Sequence, residues 1–278
     1  MKTTKRRGAG DPRGPTGRLG DRARGDPPHR FARRVSLSPR LPVVSRNMPT
    51  DDLLAVIGRA DELYQHRSQP ESVRESVMVL SGARGGSDRY EVQWRLARAL
   101  FFLGQQANSR DSAQQLYAAG IGAGERAVAL NSERVEGHFW VGVNLALFAE
   151  SGSRWRALRA LRGARTELRR AVSISEKYHD AGPLRVLGRL EHKAPKLLGG
   201  SLKRSRILFD RALEIAPSNS VTLVYAADLA LDAGQRERAT SLLQQILDSS
   251  VDPDWEFENN RDRELARSML HRLTVKLP

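Results

Sequence analysis

The chain has 278 residues, with 46 Lys/Arg against 32 Asp/Glu for a net charge of +14, and it has no cysteine. That length accommodates one large or two small domains with a sizeable core, and the missing cysteine excludes disulfides, thiolate nucleophiles, redox dithiols, thiolate metal sites and lipidated cysteine. No run reaches the roughly 18 to 20 apolar residues that a membrane-spanning helix needs. The longest apolar-leaning stretch, FWVGVNLALFA at 139–149, is interrupted by Asn144 and predicts a buried helix.

Most of the excess charge lies at the start of the chain. Residues 1–48 hold 13 Lys/Arg against Asp11, Asp21 and Asp26, while the rest holds 33 basic and 29 acidic residues. Residues 1–47 are rich in Arg, Gly and Pro and lack an apolar period, so they are expected to form a disordered basic tail. Arg33 and Arg34 form a twin arginine, but no apolar stretch follows to make an export signal. A nucleic-acid or anionic-membrane partner would depend wholly on this tail and is not expected of the body. Met48 opens MPTDDLLAVIGRADELY, where Thr50 can cap a helix whose first turn carries Asp51 and Asp52. We expect Met48 to be the native start, which an intact mass lacking residues 1–47 would register and one including them would refute. The expected location is cytoplasmic, or periplasmic if the true N-terminus differs.

From residue 50 onward, apolar residues recur at spacings of three and four, and no segment alternates with period two. Helical pairs are predicted over 50–81, 88–131, 134–176, 181–216 and 219–249, and a final helix over about 257–276 is expected to cap the last pair. The segments GARGGSD at 82–88 and GGS at 199–201 are the interhelix loops. The clearest punctuation is C-terminal. SLKRSRILFDRALEIAPSN is a helix capped by Ser201, with Phe209 and Ala212 on one face and a stop at Pro217. NSVTLVYAADLALDAG then runs to Gly234, and QRERATSLLQQILDS follows. Ile246 occupies the position equivalent to Ala212 one 34-residue tetratricopeptide period later.

FDRALEIAPSN, with Gly234 and Ala239 in register after it, resembles a tetratricopeptide repeat, and ERAVALNS at 125–132 and LRRAVSIS at 168–175 resemble the same helix ending. The alanines Ala127, Ala171 and Ala212 lie 44 and 41 residues apart, which predicts insertions that interrupt the stack, notably SGSRWRALRALRGAR before Glu167. The expected fold is therefore all-α: a right-handed tetratricopeptide-like α-solenoid of about five helical pairs, residues 48–278, plus a C-terminal capping helix. In order, WRLARALFFLG, YAAGIGAGERAVALNSERVEGHFWVGVNLALFAE and DAGPLRVLGRLEHKAPKLLGGS resemble the TatT component family associated with TRAP transporters, and more distantly the regulator of microtubule dynamics family. The resemblance covers about residues 50–250. It implies a helical scaffold which, in TatT proteins, is a periplasmic lipoprotein that partners a substrate-binding subunit. This chain offers no cysteine for lipidation.

The sequence gives no support to an enzyme class. GIGAG at 120–124 follows a helical segment and does not fit GxGxxG, so it predicts a helix kink or close helix contact. There is no HExxH pair and no GxSxG, and Glu150, Glu167, Glu191, Glu256 and Glu258 are scattered. His138, beside Phe139 and Trp140, is expected to pack structurally. No metal or cofactor is expected.

A solenoid's inner wall comes from the first helix of each pair. With Ala97, Gly142, Gly188 and Ala227 as the small contact positions, the inner face carries Trp94, Arg98, Phe139, Arg185, Arg189, His192, Val224 and Asp228. The alternative for Trp94 and Phe139 is the core. An arginine fork suits a carboxylate, so the expected guest is an acidic peptide or a small organic anion, held without turnover. Arg185 and Arg189 should then be replaceable by alanine at the expense of a complex and not of melting. The expected function is a non-catalytic scaffold presenting a concave groove to a protein, peptide or small anionic ligand. The alternative is a TatT-like accessory subunit that partners a solute-binding protein. Pro183 fits a first helical turn after Gly182, and Trp155 and Arg156 are candidates for a lid.

Overall fold

The computed structural model describes residues 53–83, 85–151 and 154–275; the basic tail, Met48 and the Thr50 cap lie outside the described residues. Among the described residues, eleven α-helices make up five antiparallel pairs and a last single helix. These are α1 (Leu53–Gln65) with α2 (Pro70–Ser81), α3 (Tyr90–Gln105) with α4 (Arg110–Leu130), α5 (Val135–Ser151) with α6 (Arg154–Ile174), α7 (Tyr178–Lys193) with α8 (Leu202–Ile215), α9 (Ser220–Asp232) with α10 (Arg236–Asp248), and α11 (Glu256–Val275). Among the described residues there is no strand.

Local chemistry sets the ends. Ser109 accepts from the Ser112 amide to cap α4, Ser201 from Arg204 to cap α8 and Asn219 from Thr222 to cap α9. Pro70 begins α2 where its missing amide proton costs nothing. Gly234 turns the chain between α9 and α10 at φ +73°, a left-handed conformation natural to glycine.

Each helix packs on its chain neighbours, and the odd-numbered helices also touch one another in series, so α1, α3, α5, α7, α9 and α11 line the inner wall. The predicted small positions lie at the helix contacts. A side chain at Gly142 would meet Leu168 at 2.6 Å, and one at Gly188 would meet Phe209 at 2.7 Å. Ala97 and Ala227 are fully buried. The GIGAG segment lies within α4, where Gly120 abuts Asn144 and Gly124 abuts Val141; it is a close helix contact. Asn144, fully buried in α5, donates to the carbonyls of Ala97 at 3.1 Å and Trp140 at 2.8 Å, tying α5 to α3.

The long spacing between repeats has a different origin from the one expected. Residues 154–165 do not interrupt the stack but begin a single 21-residue α6, whose buried stripe Ala160, Ala164, Leu168 and Ala171 continues along α5. The alanine-rich stripe lets the two helices stay close throughout, so the extra residues lengthen the hairpin. Trp155 and Arg156 fall in the first turn of α6; their side chains lie outside the described ones.

Candidate functional site

The hollow is enclosed by the C-terminal halves of α3 and α5, the first half of α6, α7 and one residue of α9. It has a volume of about 450 Å³. Its wall is mostly apolar, with Phe101, Val143, Ala146, Leu161, Val186 and Leu190 prominent. Polar groups come from Gln105, Glu150, Arg189 and Lys193. Burial raises the Glu150 carboxyl above its ordinary range, with Arg189 opposing the rise.

Arg189 and His192, expected at the inner face, are neighbours in α7, but both side chains are already engaged by carboxylates of α9. Arg189 and Lys193 both pair with Asp228 on α9, Lys193 at 2.8 Å, and His192 Nε2 meets Asp232 at 2.8 Å. Burial acts to raise the Asp228 carboxyl, but the Lys193 and Arg189 hydrogen bonds outweigh it and hold the group below its usual range. Burial lowers the His192 imidazole despite Asp232. The cationic fork expected here is thus internally neutralised. Val224 is buried in the α9–α11 core.

A smaller space of about 90 Å³ continues the hollow inward, sharing Phe101, Gln105, Val143, Val186 and Tyr225. Phe139, only 2 % exposed, stands in its wall with Trp140, and its ring meets Tyr178 at 5.3 Å and His179 at 5.7 Å. Arg185 is here too, but it is not a free cation. Its guanidinium donates to the carbonyls of Asp180 at 2.8 Å and His179 at 3.3 Å and to Asn219 Oδ1 at 3.3 Å. Those carbonyls belong to three successive left-handed residues, His179, Asp180 and Ala181, with φ of 52°, 51° and 58°. Such non-glycine conformations cost about 1 kcal/mol or more each and persist only where the surroundings enforce them. Regular helix resumes at Gly182 with Pro183 in its first turn, as the sequence predicts.

Trp94 and Arg98 belong to the seam between α1 and α3. The Trp94 indole donates to Glu91 at 2.8 Å, with the Arg95 guanidinium 4.1 Å from its ring centroid. Arg98 donates to Asp61 at 2.7 Å while lying 3.8 Å over the Tyr64 ring. The core alternative therefore describes Trp94 and Phe139.

The most consequential contacts join elements that lie far apart in the sequence. A 3₁₀ turn, Pro253–Trp255, and the start of α11 reach across to the first hairpin. Glu258 takes two hydrogen bonds from buried Arg67, from Nε at 3.0 Å and Nη2 at 2.6 Å, and Nη2 also donates to the Asp254 carbonyl. The partners are 191 residues apart. Trp255 stacks on His179 at 4.7 Å, with Arg185 5.2 Å from its ring. Burial, followed by Arg185, Arg98 and Arg67, pushes the His179 imidazole well below its ordinary value, so the ring is neutral. The acidic-aromatic run DPDWEFE was the available signal, but its Glu256 and Glu258 read as scattered carboxylates.

His138 has a structural role. Its Nδ1 lies 2.6 Å from Glu167 and its Nε2 2.9 Å from the Ser132 carbonyl. Burial alone would lower its pKa, but these two bonds raise it above the ordinary value. Among the described residues no three His, Asp or Glu side chains are placed to hold a metal ion, and no helix is long and apolar enough to cross a membrane.

Five stacked antiparallel hairpins around an inner hollow, repeating at or somewhat above the tetratricopeptide length, define a tetratricopeptide-type α-solenoid. The chain belongs to the TRAP transporter T-component family, whose model matches residues 95–274, more than half of its length. Among solved structures it is similar to a thermophilic TPR protein of Thermus thermophilus, with a TM-score of 0.58 and 16% identity over 75% of this chain and 97% of that one. Looser likenesses are to YrrB, a TPR protein with an unusual peptide-binding site (TM-score 0.44, 16% identity, 79% and 92% covered), and to MamA (TM-score 0.45, 14% identity, 69% and 92% covered). No curated protein matches.

Proposed function

We propose that the protein is a non-catalytic docking accessory of a TRAP-type transport system, and that its hollow receives an apolar segment of a solute-binding partner or the apolar body of a solute. The carrying observation is the 450 Å³ apolar-walled hollow in a chain of the T-component family, with its nearby cations already paired to Asp228. An ionised guest would have to compete with that carboxylate, whereas an apolar guest gains from the wall directly. The anionic guest expected from the sequence is thus replaced by one with an apolar body.

Ala157, half-buried on the part of α6 that faces the hollow, tests this reading. Ala157→Trp fills the space from a partly exposed position, while Ala157→Ser leaves it open. Loss of an anchored contact is typically worth about 2 kcal/mol or more, so binding to a solute-binding protein of a TRAP-type system should weaken roughly 30-fold or more in the Trp variant only. Titration calorimetry on variants with unchanged helicity decides the matter. Wild-type affinity in Ala157→Trp removes the hollow from the function.

A further inference from the structure

The inner end of the hollow already holds a ligand-like element, the chain's own residues 252–258. We propose that this end is a recognition seat for an acidic peptide segment carrying an aromatic ring three residues before a carboxylate, and that Trp255 and Glu258 occupy it in cis until such a segment from a partner replaces them.

The seat is built from α1, the turn after it, α3, α5 and α7, none of them adjacent in sequence to the element it holds. Arg67 supplies a fork, with its side chain 4 % exposed and stacked 4.6 Å over the Tyr64 ring, aimed at the Glu258 carboxylate. His179 supplies an aromatic face and Arg185 a cation beside it, and the indole of Trp255 meets both. Trp255 and Glu258 sit one helical turn apart, a spacing that presents a ring and a carboxylate on one side of a short helical segment. Among the described residues no carboxylate forms an ion pair with Arg185, so its cation adds to that of Arg67 in favouring an acidic occupant over a neutral one.

The occupant is separable from the fold that carries it. Asp252, Pro253, Asp254 and Glu256 are exposed and Trp255 is only half-buried. The part of α11 that builds the core with α9 and α10 lies later, at Ala266 and Met269, and Asp262 is fixed independently by a 2.8 Å bond from Ser220. Residues 252–258 can therefore leave without uncovering that cluster. Their departure leaves Arg67 without its carboxylate, a large penalty for a buried charge, which an incoming acidic side chain removes. The exchange is symmetrical in chemistry, carboxylate for carboxylate and ring for ring. It is also independent of what fills the outer hollow.

The test uses the full chain and a labelled peptide of residues 251–260, VDPDWEFENN. In the wild-type protein the tethered segment competes at an effective concentration on the order of millimolar, so added peptide should bind poorly; Trp255→Ala combined with Glu258→Gln should bind it roughly tenfold or more tightly. Adding Arg67→Met to that variant should abolish the gain, as should a peptide carrying the same two replacements. A folded double variant that ignores the peptide, or one that binds it regardless of Arg67, overturns the proposal. Hydrogen exchange on the wild type gives a second reading that survives a variant failing to fold. Amides of residues 255–259 should exchange well before those of α9, whereas exchange in step with α9 would mean a permanent structural closure and no exchangeable seat.

Discussion

Phe209→Ala should lower the stability of the solenoid by about 3–5 kcal/mol, the usual result of emptying a fully buried phenylalanine site. The side chain has no exposure, its ring edge presses on the bare backbone of Gly188, and it packs with Ala226 and Leu229. It is the contact that joins α8 to both α7 and α9, so its loss uncouples the fourth repeat from the fifth. In a solenoid, stability is close to a sum of repeat and neighbour terms, and a broken joint shows as a broken cooperative unit. Urea unfolding followed by circular dichroism should therefore shift to lower midpoint and split, with α9–α11 melting before the cluster that spans α1 to α7. A single transition at the wild-type midpoint would show that Gly188 and Phe209 do not form the joint. Ile207→Ala, two residues away and 59 % exposed, should change stability by less than about 0.5 kcal/mol.

The joints were legible because they are local and periodic. Ala97, Gly142, Gly188 and Ala227 are small residues at recurrent places on apolar faces, and each marks where one helix must come close to the next. Ser201, Pro217 and Gly234 punctuate the same pattern through backbone chemistry that acts over a few residues. The hairpin boundaries followed from these signals. The start of α6 reads as an insertion because a repeat template treats added residues as an interruption, although RALRALRGAR keeps its own helical alanine stripe. The candidate site was only partly legible. Periodicity assigns side chains to the inner wall; Arg189 lines the hollow and Arg185 its inner end, whereas Phe139 is core. It says nothing about which side chains pair between helices, so the neutralisation of Arg189 by Asp228 and the closure of Arg67 by Glu258 do not follow from it. The first joins neighbouring inner helices and the second joins residues 191 apart in the chain, and neither pairing lies within the few residues over which helical periodicity is read.

The same blindness makes Arg185 and Arg189, four residues apart on α7, look equivalent when physically they are not, and the structure separates them. Arg185→Ala should cost about 2–4 kcal/mol, since charged hydrogen bonds are worth about 1.5–3 kcal/mol each and relief from burying the cation offsets part of their loss. Its guanidinium fastens the His179 and Asp180 carbonyls and Asn219, holding three left-handed residues against their intrinsic preference while covering Trp255. Burial lowers the affinity of this group for its proton, yet the three acceptors require a charged fork, so Arg185→Lys should recover little. Arg189→Ala should stay within about 1 kcal/mol of wild type, because its side chain is 32 % exposed and Asp228 keeps Lys193 as a partner. Urea midpoints of the two single variants give the contrast, and Trp255 emission should move toward that of solvated indole in Arg185→Ala alone. Equal midpoints would show that the left-handed turn holds itself, and Arg185 would then return to the set of residues free to meet a guest.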